Sequence, residues 1–312
     1  MTSQTPVLEV RELVKRFSAS GSPAVDGISF TLHEGEILGL LGPNGAGKTT
    51  TIQMLLSTLL PTKGSIQYFG KELATHRSEI LSTVSFASTY LKLPGSSTIE
   101  ESLSIYGMLY GVHADTLKNA IKENLEFFGM WDLRGRRIYS LSAGQMTRVM
   151  LAKAFLSNPR VVLLDEPTAS LDPDIAHEVR AFVKAKQRQH GTSMIFTSHN
   201  MAEVEEVCDR VLVLKGGQII ASQTPEALAA SVAFARVELV SEHAVQIEKY
   251  ALDRKLVYVR DGFRIDVEID EKHIAAMLAD LARTEIGYTQ ISIAKPTLED
   301  YFIQMARQKA AS

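Results

Sequence analysis

The sequence predicts an α/β fold built on a mainly parallel sheet, with a helical insert and a small α+β domain of ferredoxin-like pattern behind it. Three observations predict this. Apolar runs at 37–41, 161–164, 194–197 and 211–214 alternate with helical patterns, as strands buried on both faces do. Residues 98–158 read as almost entirely helical. After about residue 225 the pattern changes to β-α-β-β-α-β, the order of a split unit.

Taken in order, residues 7–17 alternate like a strand, and 28–32 read as a second. The run Ile37–Leu41 leads into a glycine-rich loop at 42–47, and a helix is expected from Lys48 to about Leu60, stopped by Pro61. Another strand is expected at 83–87. The insert divides into helices at 98–110, 114–128 and 143–157. Beyond Pro225, strands are expected at 235–240, 255–260, 263–269 and 289–294, with helices at 243–252, 271–284 and 297–308. Asp261-Gly262 between two alternating segments predicts a hairpin turn. The apolar stripe Ile274, Met277, Leu278 and Leu281 is expected to pack on its own sheet. The domains therefore divide as 1–225, with its insert at 98–158, and 230–312.

Composition narrows the function. The 312 residues are 45% hydrophobic and 22% charged, ordinary for a globular chain that can bury a sizeable core. A net charge of −3 gives no electrostatic case for nucleic acid, and none is expected as a partner. The single cysteine, Cys208, excludes an internal disulfide and lies in a helical pattern with Met201, Val204 and Val211, which predicts a core residue. Met1-Thr-Ser-Gln-Thr-Pro-Val has neither the basic nor the apolar region of a secretory signal, and no apolar run approaches the roughly 20 residues that cross a bilayer.

Two motifs carry chemistry by their residue types alone. The loop Gly42-Pro43-Asn44-Gly45-Ala46-Gly47-Lys48-Thr49-Thr50 sits between a buried strand and a helix. Its glycines let backbone N–H groups converge on one anion, and the helix N-terminus adds its positive end. Lys48 supplies a charge for the β and γ phosphates, and Thr49 a hydroxyl for Mg²⁺. The second motif ends the apolar strand at Asp165-Glu166, placing two carboxylates at the sheet edge where ligands of α/β proteins bind. Asp165 is the expected Mg²⁺ partner and Glu166 the expected general base toward water. ATP and Mg²⁺ are the implied ligands.

A third motif, Leu141-Ser142-Ala143-Gly144-Gln145, opens a helix, and Ser170-Leu171-Asp172 and His199 follow. This set, in this order, resembles the ATP-binding cassette (ABC) ATPases, P-loop NTPases with a helical insert. The resemblance covers about residues 7–222. It implies a head-to-tail dimer in which Ser142, Ala143, Gly144 and Gln145 of one copy meet the ATP held by the other. It implies further that Phe17 stacks on adenine, that Asp172 links the two sites, and that His199 contacts the γ-phosphate. Ala143 stands where the family commonly has glycine; a negative φ would make it harmless. The family's glutamine after strand 83–87 is missing, and its position falls on Ser88 or Thr89.

The chain is most similar to the separately encoded ATPases of ABC-2-type exporters, through the loop GPNGAGKTT, the segment NPRVVLLDEPTASLDP and the tail Pro296-Thr-Leu-Glu-Asp-Tyr-Phe302. That resemblance implies a homodimer on the cytoplasmic face of the membrane, peripheral through a separate permease. An importer ATPase and a non-transport ABC ATPase are the alternatives. In the family, the segment from Ser88 to Pro94 docks a permease helix, and Tyr90, Leu91 and Leu93 are expected there as exposed apolar groups.

Overall fold

The computed structural model describes residues 6–18, 20–88, 93–169, 171–232 and 234–310, with backbone only over 306–310. Chain contacts divide it into two compact units, 1–224 and 225–312.

In the first unit, β1 (Pro6–Lys15), β2 (Val25–His33) and β3 (Ile37–Leu41) lead to α1 (Lys48–Leu55), β4 (Lys63–Tyr68), β5 (Lys71–Glu72), α2 (Arg77–Leu81) and β6 (Val84–Ser88). The insert supplies α3 (Ile99–Leu109), α4 (Ala114–Phe127) and α5 (Ala143–Ala154). The chain then alternates through β7 (Val161–Asp165), α6 (Pro173–His190), β8 (Ser193–Thr197), α7 (Met201–Val207), β9 (Arg210–Lys215) and β10 (Gln218–Gln223).

A six-stranded sheet runs β10-β9-β3-β8-β7-β6, parallel except for the β9–β10 hairpin. All five residues of β3, of β7 and of β8 are buried, so the side chains on both faces of these strands meet protein. Their carboxyl ends lie side by side. Ser88 pairs with Asp165, and Asp165 with Thr197, across β6, β7 and β8.

The unit adds a sheet that was not expected and corrects expectations on α1, Cys208 and Leu93. A separate antiparallel sheet, β2-β1-β4-β5, accompanies the parallel one. The strand β4 (KGSIQY) carries too few apolar groups to stand out, yet its Ile66 and Tyr68 are buried in the shared core. Helix α1 ends at Leu55, well before Pro61, because the chain turns through Ser57 at φ 54°. Cys208 is buried as expected, but it terminates α7 rather than lying within it, and Val211 belongs to β9.

Leu93 is buried at 5% exposure and so is not part of an exposed apolar patch. Thr89, Tyr90, Leu91 and Lys92 lie outside the described residues, as does Ser170.

The second unit opens with α8 (Pro225–Ala230). It continues as β11 (Ala235–Val240), α9 (Ala244–Asp253), β12 (Val257–Asp261), β13 (Arg264–Ile269), α10 (Ile274–Arg283), β14 (Gln290–Ala294) and α11 (Leu298–Ala310). Its antiparallel sheet has the order β12-β13-β11-β14, that of a split β-α-β unit. Val237, Leu239, Ile265 and Val267 meet Ile247, Ile274, Met277 and Leu281 of the helices in one core, with Leu278 packed against it. The hairpin turn is shifted by one residue. Asp261 pairs with Arg264, leaving Gly262-Phe263 at the tip, with Gly262 at φ 58°.

Candidate functional site

The loop after β3 adopts the conformation its glycines permit. Gly42, Gly45 and Gly47 have φ of 152°, 79° and 106°. Space is also short at two of them. A Cβ at Gly42 would lie 2.3 Å from the Leu214 carbonyl oxygen, and one at Gly47 would lie 2.5 Å from that of Ala24. Between them Pro43 and Asn44 are exposed and Ala46 is buried. Helix α1 begins at Lys48, and its first N–H groups face the loop. The Lys48 ammonium is buried and donates to the carbonyls of Gly42 at 2.6 Å and Pro43 at 3.3 Å. Burial pulls its pKa down, against the opposing pull of Glu166 and Asp165. Thr49 is exposed beside it and Thr50 half-buried.

Those two carboxylates end β7, both buried. Thr197, at the end of β8, ties them in place. Its Oγ1 donates to Asp165 Oδ1 at 2.8 Å and accepts the Glu166 backbone N–H at 2.9 Å. Glu166 has φ of 55°, a sparsely populated conformation for a residue with a side chain. That turn aims its carboxylate at His199, whose Nε2 lies 2.9 Å from Glu166 Oε1. Burial pushes the Glu166 carboxyl pKa up; His199 pulls it back, Asp165 adds to the rise, and Lys48 opposes it. A cavity of about 380 Å³ opens here, with Glu166, Thr168, Ser198, His199, Asn200 and Glu203 on its walls.

The Ser142 group stands at the start of α5. Ser142 Oγ accepts the Gln145 N–H at 3.3 Å, and Gln145 Oε1 accepts the Ser142 N–H at 3.1 Å, a reciprocal cap. Ala143 starts the helix without positive φ, so its methyl carries no backbone strain. Ser142 and Ala143 are exposed, and none of the four residues from Ser142 to Gln145 lines the cavity beside Glu166. Asp172 is exposed at the N-cap of α6, but its side chain makes no capping bond. Phe17 is 67% exposed, with the Lys15 ammonium 5.4 Å from its ring centre.

A protein-family model described as ABC transporter matches residues 25–169. The chain is 32% identical over 306 residues to the uncharacterized ABC transporter ATP-binding protein YhcH of Bacillus subtilis, covering 96% of this chain and 95% of that one. The chain belongs to the ABC transporter ATP-binding protein family. It is 34% identical over 224 residues to Nod factor export ATP-binding protein I of Ralstonia nicotianae, covering 72% of this chain and 69% of the relative. Among solved structures, the ATP-binding subunit of an ABC transporter superposes with a TM-score of 0.67 at 26% identity, covering 71% of this chain and 91% of that one.

In this ABC protein the donor set fits a magnesium ion brought with a nucleotide. Thr49 offers an exposed hydroxyl and Asp165 an anchored carboxylate. Among the described residues no group of three or more His, Cys, Asp and Glu gathers as a cage. Mg²⁺ commonly uses one or two protein oxygens and takes the rest from phosphates and water. Ser88 is buried at the end of β6, opposite Asp165.

Two residues that brace this cluster, Thr197 and Glu203, are not marked by any motif. Thr197 had a signal: a hydroxyl closing the apolar run MIFT, level with Asp165 once the strands are aligned. Glu203 had none: Ser198 is five residues away, but its other partners, Thr168 and Arg180, lie 35 and 23 residues away.

Proposed function

We propose that the chain hydrolyses MgATP as the ATPase subunit of an exporter. The observation that carries the hydrolytic reading is the 2.9 Å pair of Glu166 and His199 beside an anchored Asp165. In this reading the loop from Gly42 to Thr50 cradles the triphosphate, Lys48 meets the β and γ phosphates, and Phe17 stacks on adenine. Glu166 takes a proton from water as its oxygen bonds to the γ-phosphorus. The bond from that phosphorus to the β–γ bridging oxygen breaks, and ADP leaves. His199 holds a γ-phosphate oxygen and orients Glu166. Thr49 and Asp165 would hold Mg²⁺, which would supply positive charge against the triphosphate.

The exposed start of α5 supports a role in trans. The reading places Ser142, Ala143, Gly144 and Gln145 of one copy on the ATP of a second in a homodimer, with Asp172 reaching between the sites. The export function named for the Ralstonia relative supports an exporter. The reading takes an ABC-2-type permease, a separate chain, as its partner. The reading places this subunit on the cytoplasmic face, held by the permease; among the described residues no helix is long and apolar enough to cross a membrane. Residues 230–312 serve as an accessory, regulatory domain. Affinity purification from membranes tests this reading. A multi-span permease that co-purifies and raises the ATPase rate is expected; ribosomes, or an importer permease with its binding protein, would replace the exporter reading.

A further inference from the structure

Glu203 on α7 is a buried carboxylate, 6% exposed, that the scheme above leaves unused. An ionised carboxylate persists in such a place only when its oxygens are paired. Both are. Oε2 accepts from Thr168 Oγ1 at 2.5 Å and from Ser198 Oγ at 2.7 Å, and Oε1 faces Arg180 Nη1 of α6 at 3.3 Å. Arg180 is held in turn by Glu206, one helical turn along α7, at 2.5 Å.

The partners matter for where they sit. Thr168 is two residues beyond Glu166, and Ser198 immediately precedes His199. A single oxygen of Glu203 therefore takes a hydroxyl from each of the two loops that carry the reacting pair. Ser198 is fixed on its other side as well, accepting the Asn200 N–H at 3.0 Å, while Asn200 caps α7 through Ala202. Glu166 itself sits at φ 55°, a conformation that needs outside restraint.

We propose that Glu203 is a positioning residue that clamps the loop after β7 to the loop after β8 and so holds His199 against Glu166, with Arg180 as its charge partner. The proposal rests on the reading that Glu166 and His199 act in ATP hydrolysis. Removing the clamp lets the His199 loop drift while the phosphate loop stays as it is. A displacement of about 1 Å at a reacting group costs on the order of a hundredfold in rate.

The test compares ATPase kcat and KM for Glu203→Gln, Thr168→Val and Ser198→Ala, each alone and combined with His199→Ala. The Gln side chain keeps the shape but loses the charge and one acceptor. Thr168→Val and Ser198→Ala each cut one arm of the clamp and cover the case in which Glu203→Gln does not fold. The expected result is a kcat lower by roughly 10- to 100-fold with KM within about threefold, and little further loss once His199 is gone. Equal losses with and without His199 would overturn the proposal, because Glu203 would then act by another route. So would an unchanged kcat in the single variants while His199→Ala is impaired. If His199→Ala and Glu166→Gln themselves hydrolyse ATP at the unaltered rate, the hydrolytic reading is what fails, and the clamp proposal falls with it.

Discussion

His199 Nε2 lies 2.9 Å from Glu166 Oε1, although 33 residues separate the two in the chain. The contact exists because β7 and β8 are neighbours in parallel register and Thr197 binds across them to Asp165 and to the Glu166 backbone. Glu166→Gln keeps this geometry and removes the base. ATP hydrolysis should fall by roughly two to four orders of magnitude while ATP binding persists. Turnover at the unaltered rate would show that another group accepts the proton.

The same pair sets a pH dependence. Burial and Asp165 push the Glu166 carboxyl above the usual carboxylate range, more than His199 and Lys48 pull it down. The base works only when deprotonated, so kcat is full above that raised pKa and falls as pH drops through it. The acid limb of the kcat profile should thus lie above the range of an ordinary glutamate, and it should disappear in Glu166→Gln. A limb that survives the substitution unchanged belongs to a different group.

Lys48→Ala removes the ammonium that faces Asp165 and Glu166 across the loop. Charge-assisted contacts to the β and γ phosphates are lost, which weakens ATP binding by roughly ten- to a hundredfold. Titration with a fluorescent ATP analogue measures this directly. An unaltered Kd would remove the loop from the nucleotide site.

The loop and the acidic strand end were legible in the sequence because both are local. Gly42, Gly45 and Gly47 take positive φ within one short segment, and Asp165-Glu166 closes an unbroken apolar run. What escaped is non-local or weakly patterned. Thr197 acquires its role only when β7 and β8 align, and Glu203 on α7 only when the fold brings Thr168 and Arg180 to it from more than 20 residues away. The antiparallel sheet hides in β4 and β5, where two apolar residues, Ile66 and Tyr68, and a two-residue strand give too short an alternation to read. The early end of α1 depends on a left-handed Ser57, which no propensity marks.

Gly144 offers a test of the dimer. A Cβ there would meet only Leu171 Cδ2 at 3.6 Å and Ile175 Cδ1 at 3.7 Å, ordinary contacts, and its φ is not positive. The folded chain therefore tolerates Gly144→Ala, and its melting temperature and ATP affinity as a monomer should hold. If the start of α5 receives the triphosphate of a second copy, the added methyl obstructs that approach. ATP-dependent dimerisation and hydrolysis should then drop by roughly tenfold or more. Gel filtration with ATP in the Glu166→Gln background reads the dimer. Unchanged dimerisation and turnover would take this helix start out of the nucleotide contact.

Lys153 makes a prediction about stability rather than catalysis. It lies on α5 at 6% exposure, its ammonium 5.1 Å from the Tyr106 ring centre. Burial pulls its pKa from the ordinary 10.5 down to about 8. Below about pH 8 the amine is charged in both the folded and the unfolded chain, and the folded state carries the full desolvation cost. As pH rises from there toward 10.5, the folded chain has released a proton that the unfolded chain still holds, so this residue makes stability climb with pH. Lys153→Met fills the same space without the charge. At pH 7 it should stabilise the first unit by roughly 1–3 kcal/mol, with the gap to the unsubstituted chain closing as pH rises through 9 and 10. Thermal unfolding of both proteins at several pH values measures the gap. A gap that stays constant with pH would mean that packing, not the buried charge, separates them.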